Sequence, residues 1–281
     1  MKKTVATLAV LAIITSFAGD VFAQTDTGGV TAQNHKGGVA FTIPAHAVEV
    51  RPDIFSLGEA YDSASGKMVE GYAIVHKKDN ANRPDSTQVK SNAAKSPRTA
   101  KCYALVASGA KWKTVEDWEV FGGGGLDGSS LRGILETSIG TWETAAANTS
   151  ILGSGSLGTG PITNPNTLDD RNQVSFGDLG AGTIAVTIFW GRFSGPVLNR
   201  EIIAWDQIYN TDFSWTTDAT LEPSKMDFWN IATHELGHAM GLADIYDSSC
   251  SAVTMFGYGT EGETQKRDLT PADITGINLL Y

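Results

Sequence analysis

Residues 234–247 read HELGHAMGLADIYD. On a helix, residues four apart share one face, about 6 Å apart at Cβ, so His234 and His238 can hold one metal ion between their imidazoles. Glu235 is turned about 100° further round the axis. It flanks such an ion without binding it, where a carboxylate can take a proton from an attacking water. Gly241 stands three residues after His238. Glycine tolerates positive φ, so the helix can stop there and the chain can turn back towards the ion. Three positions later comes Asp244. The chain has five histidines, and the other three are His35, His46 and His76. Within residues 105–281 no third histidine is available, while carboxylate oxygen is an accepted zinc ligand in a catalytic site of three protein ligands. The candidate zinc set is therefore His234, His238 and Asp244, with Asp247 as the competing carboxylate.

These residues need a helix and its neighbours to hold them. Apolar spacing predicts a helix over 224–240, with Trp229, Ala232, Thr233, Leu236, Ala239 and Met240 on one face. A second helix is expected over 129–146, with Leu131, Ile134, Leu135, Ile139 and Trp142 at helical spacing and Ser129 or Ser130 as N-cap. Thr270-Pro271 opens a closing helix with Asp273 at N3, and Ile274, Ile277 and Leu280 form its apolar side. TIAVTIFW at 183–190 reads as a buried strand. Arg200–Trp205 reads as a further extended stretch, offering an edge for a peptide to pair with. Val115, Trp118, Val120 and Phe121 suggest a strand ending at Gly122–Gly125. The run from Gly153 to Gly158 fits G-x-G-x-x-G, but it follows no strand pattern and opens no helix. It is expected to be a surface loop and not a dinucleotide site.

The rest of the 281 residues divide by composition. Lys2 and Lys3, an apolar run from Thr4 to Ala18 and the close Val21-Phe22-Ala23 have the make-up of a secretory signal peptide over residues 1–23. The apolar run is short for a membrane span. Residues 24–104 are expected to form a pro-region or an accessory segment with a linker, carrying short strand-like pieces at Val39–Ile43 and Tyr72–Val75. Residues 105–281 would be the compact domain. The net charge is −10. Residues 102–281 hold 9 Lys+Arg against 22 Asp+Glu, and residues 24–101 hold 10 against 8. An acidic domain without clustered cations excludes nucleic acid as a partner. Its acidic loops would suit structural calcium, with no ligands assignable. The two cysteines, Cys102 and Cys250, are a candidate disulfide in an exported chain.

HELGHAMGLAD resembles the metzincin signature H-E-x-x-H-x-x-G-x-x-H with Asp in the last place, a variant similar to that of snapalysin-like enzymes. The order of elements around it resembles a matrixin over about 170 residues. Lys111-Trp112 resembles the domain start, Thr254-Met255-Phe256 is placed like the Met-turn, and LTPADITGINLLY resembles the closing helix. The resemblance implies an α+β fold of α/β/α-like type, with a twisted, mostly parallel sheet, an active-site helix and a C-terminal helix. It implies Met255 beneath the metal and Phe256, Gly257 and Tyr258 as one wall of a specificity pocket. The chain departs from matrixins in Asp244, in lacking histidines for structural zinc, and in lacking the P-R-C-G thiol switch, since Pro97-Arg98-Thr99 precedes Cys102 by several residues. The activity implied is that of a secreted, zymogen-type zinc endopeptidase acting as a monomer on protein or peptide substrates, with Glu235 as general base. Two alternatives stand beside it: a gluzincin-type site using Glu261 or Glu263, and a non-catalytic zinc-stabilised binding protein.

Overall fold

A computed structural model of the protein describes residues 39–79, 101–147 and 150–281. The expected signal segment lies outside them. The N-terminal part contributes β1 (Val39–Ala40), β2 (Val48–Arg51), β3 (Ile54–Asp62) and β4 (Lys67–Lys78). After β5 (Ala104–Leu105) and β6 (Trp118–Val120) comes α1 (Gly128–Ala145). Then follow β7 (Gly155–Leu157), β8 (Gln173–Asp178), β9 (Thr183–Arg192), β10 (Glu201–Asn210), β11 (Trp215–Thr216) and β12 (Met226–Asp227). The chain closes with α2 (Phe228–Ala239), β13 (Leu242–Ala243), β14 (Tyr258–Gly259) and α3 (Pro271–Asn278).

The fold is α+β, built on one mixed sheet with the order β2-β3-β4-β9-β10-β8-β6-β7. β10, β8, β6 and β7 run parallel, as expected, while β9 is antiparallel to β10. Beyond β9 the sheet continues with β4, paired antiparallel from Glu70↔Gly191 to Lys77↔Thr183, and then with β3 and β2. Residues 39–79 share the sheet of residues 105–281. The reason lies in β4, which buries Val69, Ala73, Ile74 and Val75. A strand apolar on both faces cannot stand apart from a core.

Side chains alternate across the sheet. Val69, Ala73 and Val75 of β4 join Val186, Ile188 and Trp190 of β9 in a cluster on one face. Ile74 and Phe189 point the other way, into the larger core that holds α1, α2 and α3. Trp142 of α1 is fully buried there, and its indole N–H donates to the Thr233 carbonyl of α2 at 2.8 Å. Trp112, the expected domain start, is buried and donates to the Ala239 carbonyl at 2.8 Å.

Four local expectations are corrected. The N-cap of α1 is Asp127, whose carboxylate accepts from Ser130 N at 3.0 Å, not Ser129 or Ser130. α2 starts at Phe228 and not at 224, because Met226-Asp227 pairs with Trp215-Thr216 and Asp227 serves as its cap. Such a cap contributes about 1 kcal/mol. β10 is an internal strand between β8 and β9, so it offers no edge to a peptide. The glycine run at 153–158 contains β7, which extends the sheet beside β6. Among the described residues no helix is long and apolar enough to cross a membrane.

Candidate active site

The site is built on α2. Except for the half-buried Trp229, every residue of this helix is buried, so its polar side chains must find partners inside the protein. His234 and His238 are both fully buried. The Nδ1 of His234 faces the Thr254 carbonyl at 2.7 Å, and that of His238 faces the Leu242 carbonyl at 3.0 Å. A carbonyl only accepts, so each Nδ1 carries the proton and each Nε2 is left with a lone pair. The two Nε2 atoms stand 3.1 Å apart.

Gly241 ends the helix with φ at 102°, a conformation open to glycine. The chain then turns back and brings Asp244 Oδ1 to 3.1 Å from His234 Nε2 and 3.4 Å from His238 Nε2. Oδ2 of Asp244 accepts from the Tyr246 hydroxyl at 3.1 Å. Oδ1 is buried and has no hydrogen-bond partner. Three electron pairs thus converge with no proton among them, an arrangement that repels itself unless a cation lies at its centre. The spacing fits that cation: a tetrahedral zinc ion with bonds of about 2.0–2.1 Å holds its ligand atoms about 3.3 Å apart. Asp247 is exposed and caps the short turn Ser248–Cys250, accepting from Ser249 N at 2.9 Å. The structure therefore brings Asp244, not Asp247, to the histidines.

The Thr254-Met255 turn is fixed from α3. Asp273 at N3 accepts from Thr254 N at 3.0 Å, from Met255 N at 3.2 Å and from Thr270 N at 2.8 Å. The expected capping box thus also orients the carbonyl that holds His234. Met255 is fully buried against the middle of α2, where a Cβ at Gly237 would come within 2.3 Å of its sulfur. Gly257 lies on the other side, where a Cβ would meet Tyr246 at 2.5 Å and the Asp244 carboxyl carbon at 3.0 Å. Cys102 and Cys250 are joined in a disulfide, their Cα atoms 5.3 Å apart.

Glu235 is fully buried, and its two oxygens are both engaged. Oε2 accepts from the Thr187 hydroxyl of β9 at 2.7 Å, and Oε1 meets Nδ1 of His76 at 2.8 Å. Burial pushes the Glu235 carboxyl up to about 7, against the opposing pull of His238 and the Thr187 hydrogen bond. His76 comes from β4, and its ring lies on that of His234 with centroids 3.9 Å apart. Its Nε2 faces the ammonium of Lys266 at 3.2 Å. A lysine ammonium only donates, so the imidazole accepts at Nε2 and donates from Nδ1 to Glu235. Burial, with His234 and the Lys266 ammonium adding to it, holds the imidazole pKa well below its usual value and keeps it neutral.

His76, Thr187 and Lys266 were not among the sequence-predicted site residues. β4 is an internal strand, and its C-terminal end runs between two strands of residues 105–281. It is antiparallel to β9 on one side, and on the other its Lys77-Lys78 pairs parallel with Tyr258-Gly259. The predicted wall residues Phe256 and Tyr258 turn their carbonyls to Lys266, each at 2.7 Å. Two clusters of metal-ligating side chains occur among the described residues, His234–His238–Asp244 and His76–His234–Glu235. Glu261, one rival ligand, pairs with Lys78 at 2.6 Å, and Glu263 accepts from Asn230 at 3.3 Å; neither belongs to either cluster. No ligands for calcium are assigned.

No curated protein matches the chain. Among solved structures it is similar to metalloproteinase-II from Bacteroides fragilis, at 10% identity and a TM-score of 0.33, over 83% of this chain and 80% of that one. Residues 197–281 match the family model described as matrixin. That stretch holds His234, Glu235, His238, Asp244, Met255 and the closing helix, and over it the chain is matrixin-like.

Proposed function

We propose that the protein is a secreted zinc endopeptidase made in a latent form. The observation that carries this reading is the convergence of the two Nε2 lone pairs and Asp244 Oδ1 beside a buried carboxylate. His234, His238 and Asp244 would hold the ion, with Tyr246 and the Thr254 and Leu242 carbonyls fixing these ligands. Zinc, when bound, polarises the scissile carbonyl and lowers the pKa of water. Glu235 accepts a proton from the attacking water. The water oxygen bonds to the carbonyl carbon, the C–N bond breaks, and Glu235 returns the proton to the leaving nitrogen. A carboxyl whose pKa is raised to about 7 suits both halves of that task. Thr187 keeps one oxygen of Glu235 in place.

Latency follows from β4. It occupies the groove beside β9 and β14, and His76 takes the proton-accepting oxygen of Glu235. The segment 39–79 must leave before a substrate can enter. A cut between Asp79 and Cys102 frees it while keeping the disulfide within the enzyme. The test uses the full chain loaded with zinc and assayed on casein before and after limited proteolysis in residues 80–101. Chelator-sensitive hydrolysis is expected only after the cut. Hydrolysis that persists in excess chelator, or none in any zinc-loaded sample, overturns the proposal.

A further inference from the structure

Lys266 is fully buried, on the short turn Gln265–Arg267. Its backbone N–H donates to the Asn230 side chain at 2.7 Å, which ties the turn to α2. The ammonium has three protons. Two are taken by the Phe256 and Tyr258 carbonyls at 2.7 Å each, within the 105–281 region itself. The third points to His76 Nε2 at 3.2 Å, a partner carried on β4. Around that contact the walls are apolar, since a Cβ at Gly259 would lie within 3.3 Å of Ile184, Ile231 and His76 Nε2 alike. Burial lowers the Lys266 pKa, opposed by the charges of Glu263, whose Oε2 lies 4.0 Å from the ammonium, and of Asp244, Glu235 and Asp273.

We infer that Lys266 determines substrate specificity, selecting at one position beside the cleaved bond a side chain that ends in a hydrogen-bond acceptor at the reach of glutamate or glutamine. This rests on the reading that a substrate strand replaces β4. A peptide entering the groove pairs with the β9 and β14 edges as β4 does. The side chain that takes the place of His76 then faces Lys266. An apolar side chain leaves a buried ammonium short of its third bond, and a basic one adds repulsion. Glutamate and glutamine place an oxygen four bonds from Cα, as histidine places Nε2, whereas aspartate falls one bond short.

Two measurements test this. In the first, the zinc-loaded chain, opened by limited proteolysis, is given a peptide panel differing only at that position. Glutamate is expected to be cleaved at least about tenfold faster than leucine, and Lys266→Met to erase or invert the order. In the second, hydrogen exchange is followed for residues 72–78 of the intact chain. His76→Gln should keep β4 protected, and His76→Leu should speed exchange at least about tenfold. In the Lys266→Met background the two should exchange alike; a Leu variant that still exchanges faster than the Gln variant there by the same factor would assign the effect to Glu235 and overturn the inference. Equal cleavage of glutamate and leucine peptides, or no difference between the two His76 variants, overturns the inference. If no peptide is cleaved while the exchange difference is present, the endopeptidase reading falls and the acceptor pocket at Lys266 stands.

Discussion

Gly237→Ala separates two effects of opposite sign. In an exposed helix interior, alanine in place of glycine stabilises by about 1 kcal/mol. At Gly237 the added Cβ would come within 2.3 Å of Met255 Sδ and 2.9 Å of Trp142 Cζ2. Ordinary contact begins near 3.5 Å, so α2 and the Met255 turn must part by about 1 Å. Overpacking of that kind costs about 1–3 kcal/mol, which outweighs the helix gain. The displacement falls between His234 and His238 and on the turn whose carbonyl fixes His234. It therefore also spreads the ligand atoms, which stand only 3.1–3.4 Å apart. Disturbing such support typically costs about 10–100-fold in metal affinity. Gly133 and Gly140 of α1, where a Cβ meets nothing within 4 Å, are the internal control. The assay is a thermal melt with a zinc titration against a chromophoric chelator. Gly133→Ala and Gly140→Ala should melt higher and bind zinc as the parent does, and Gly237→Ala should melt lower and bind at least tenfold more weakly. A Gly237→Ala chain that melts higher with undiminished zinc affinity would refute the view that Met255 is a rigid floor under the ligand helix.

Three further outcomes are expected. Glu235→Gln should leave zinc bound, by metal analysis, and abolish hydrolysis by the opened chain; retained turnover would remove Glu235 from its role. Replacing Cys102 and Cys250 by serine opens a link across 148 residues. Loop-closure entropy puts the loss near 5 kcal/mol, a fall in melting temperature on the order of 10 °C, and a change under about 1 kcal/mol would contradict it. Asp206 is buried, and burial, with Asp169 adding to it, raises its carboxyl pKa well above the usual value. The charged form is the penalised one, so its cost is absent below the unfolded pKa near 4 and grows as pH rises through the folded value. Asp206→Asn should therefore stabilise the chain at pH 8 but not at pH 3, as read by denaturant midpoints; equal effects at both would refute it.

What the sequence makes legible is what lies close along the chain. His234, His238, Gly241 and Asp244 fall within eleven positions, and helix geometry plus one glycine turn brings them together. The capping box at Thr270 and Asp273 is legible for the same reason, although its grip on the Thr254-Met255 turn is not. His76 and Thr187 reach Glu235 from 159 and 48 positions away, Lys266 reaches His76 from 190, and no local pattern marks them. One signal was present: the Tyr72–Val75 run continues through His76, and strand alternation puts His76 on the same face as Ile74. Apolar spacing sets the start of α2 too early, because it says nothing of the pairing between Met226 and Trp215. Nor does it tell an edge from an internal strand at β10, because strand order is a long-range property.

The groove between β9 and β14 is filled by a strand of the same chain. Until the connection through residues 80–101 is severed, β4 meets its groove at an effective concentration in the millimolar range, as set by a tether of that length. Once severed, the same strand is an ordinary ligand, present at the concentration of the protein itself. No bond in the groove need weaken for it to leave. On the proposed reading, dilution into a large volume then favours the open enzyme, and a crowded, confined space favours recapture, so that one covalent cut would make occupancy of the groove a reading of how far the protein has spread from its source.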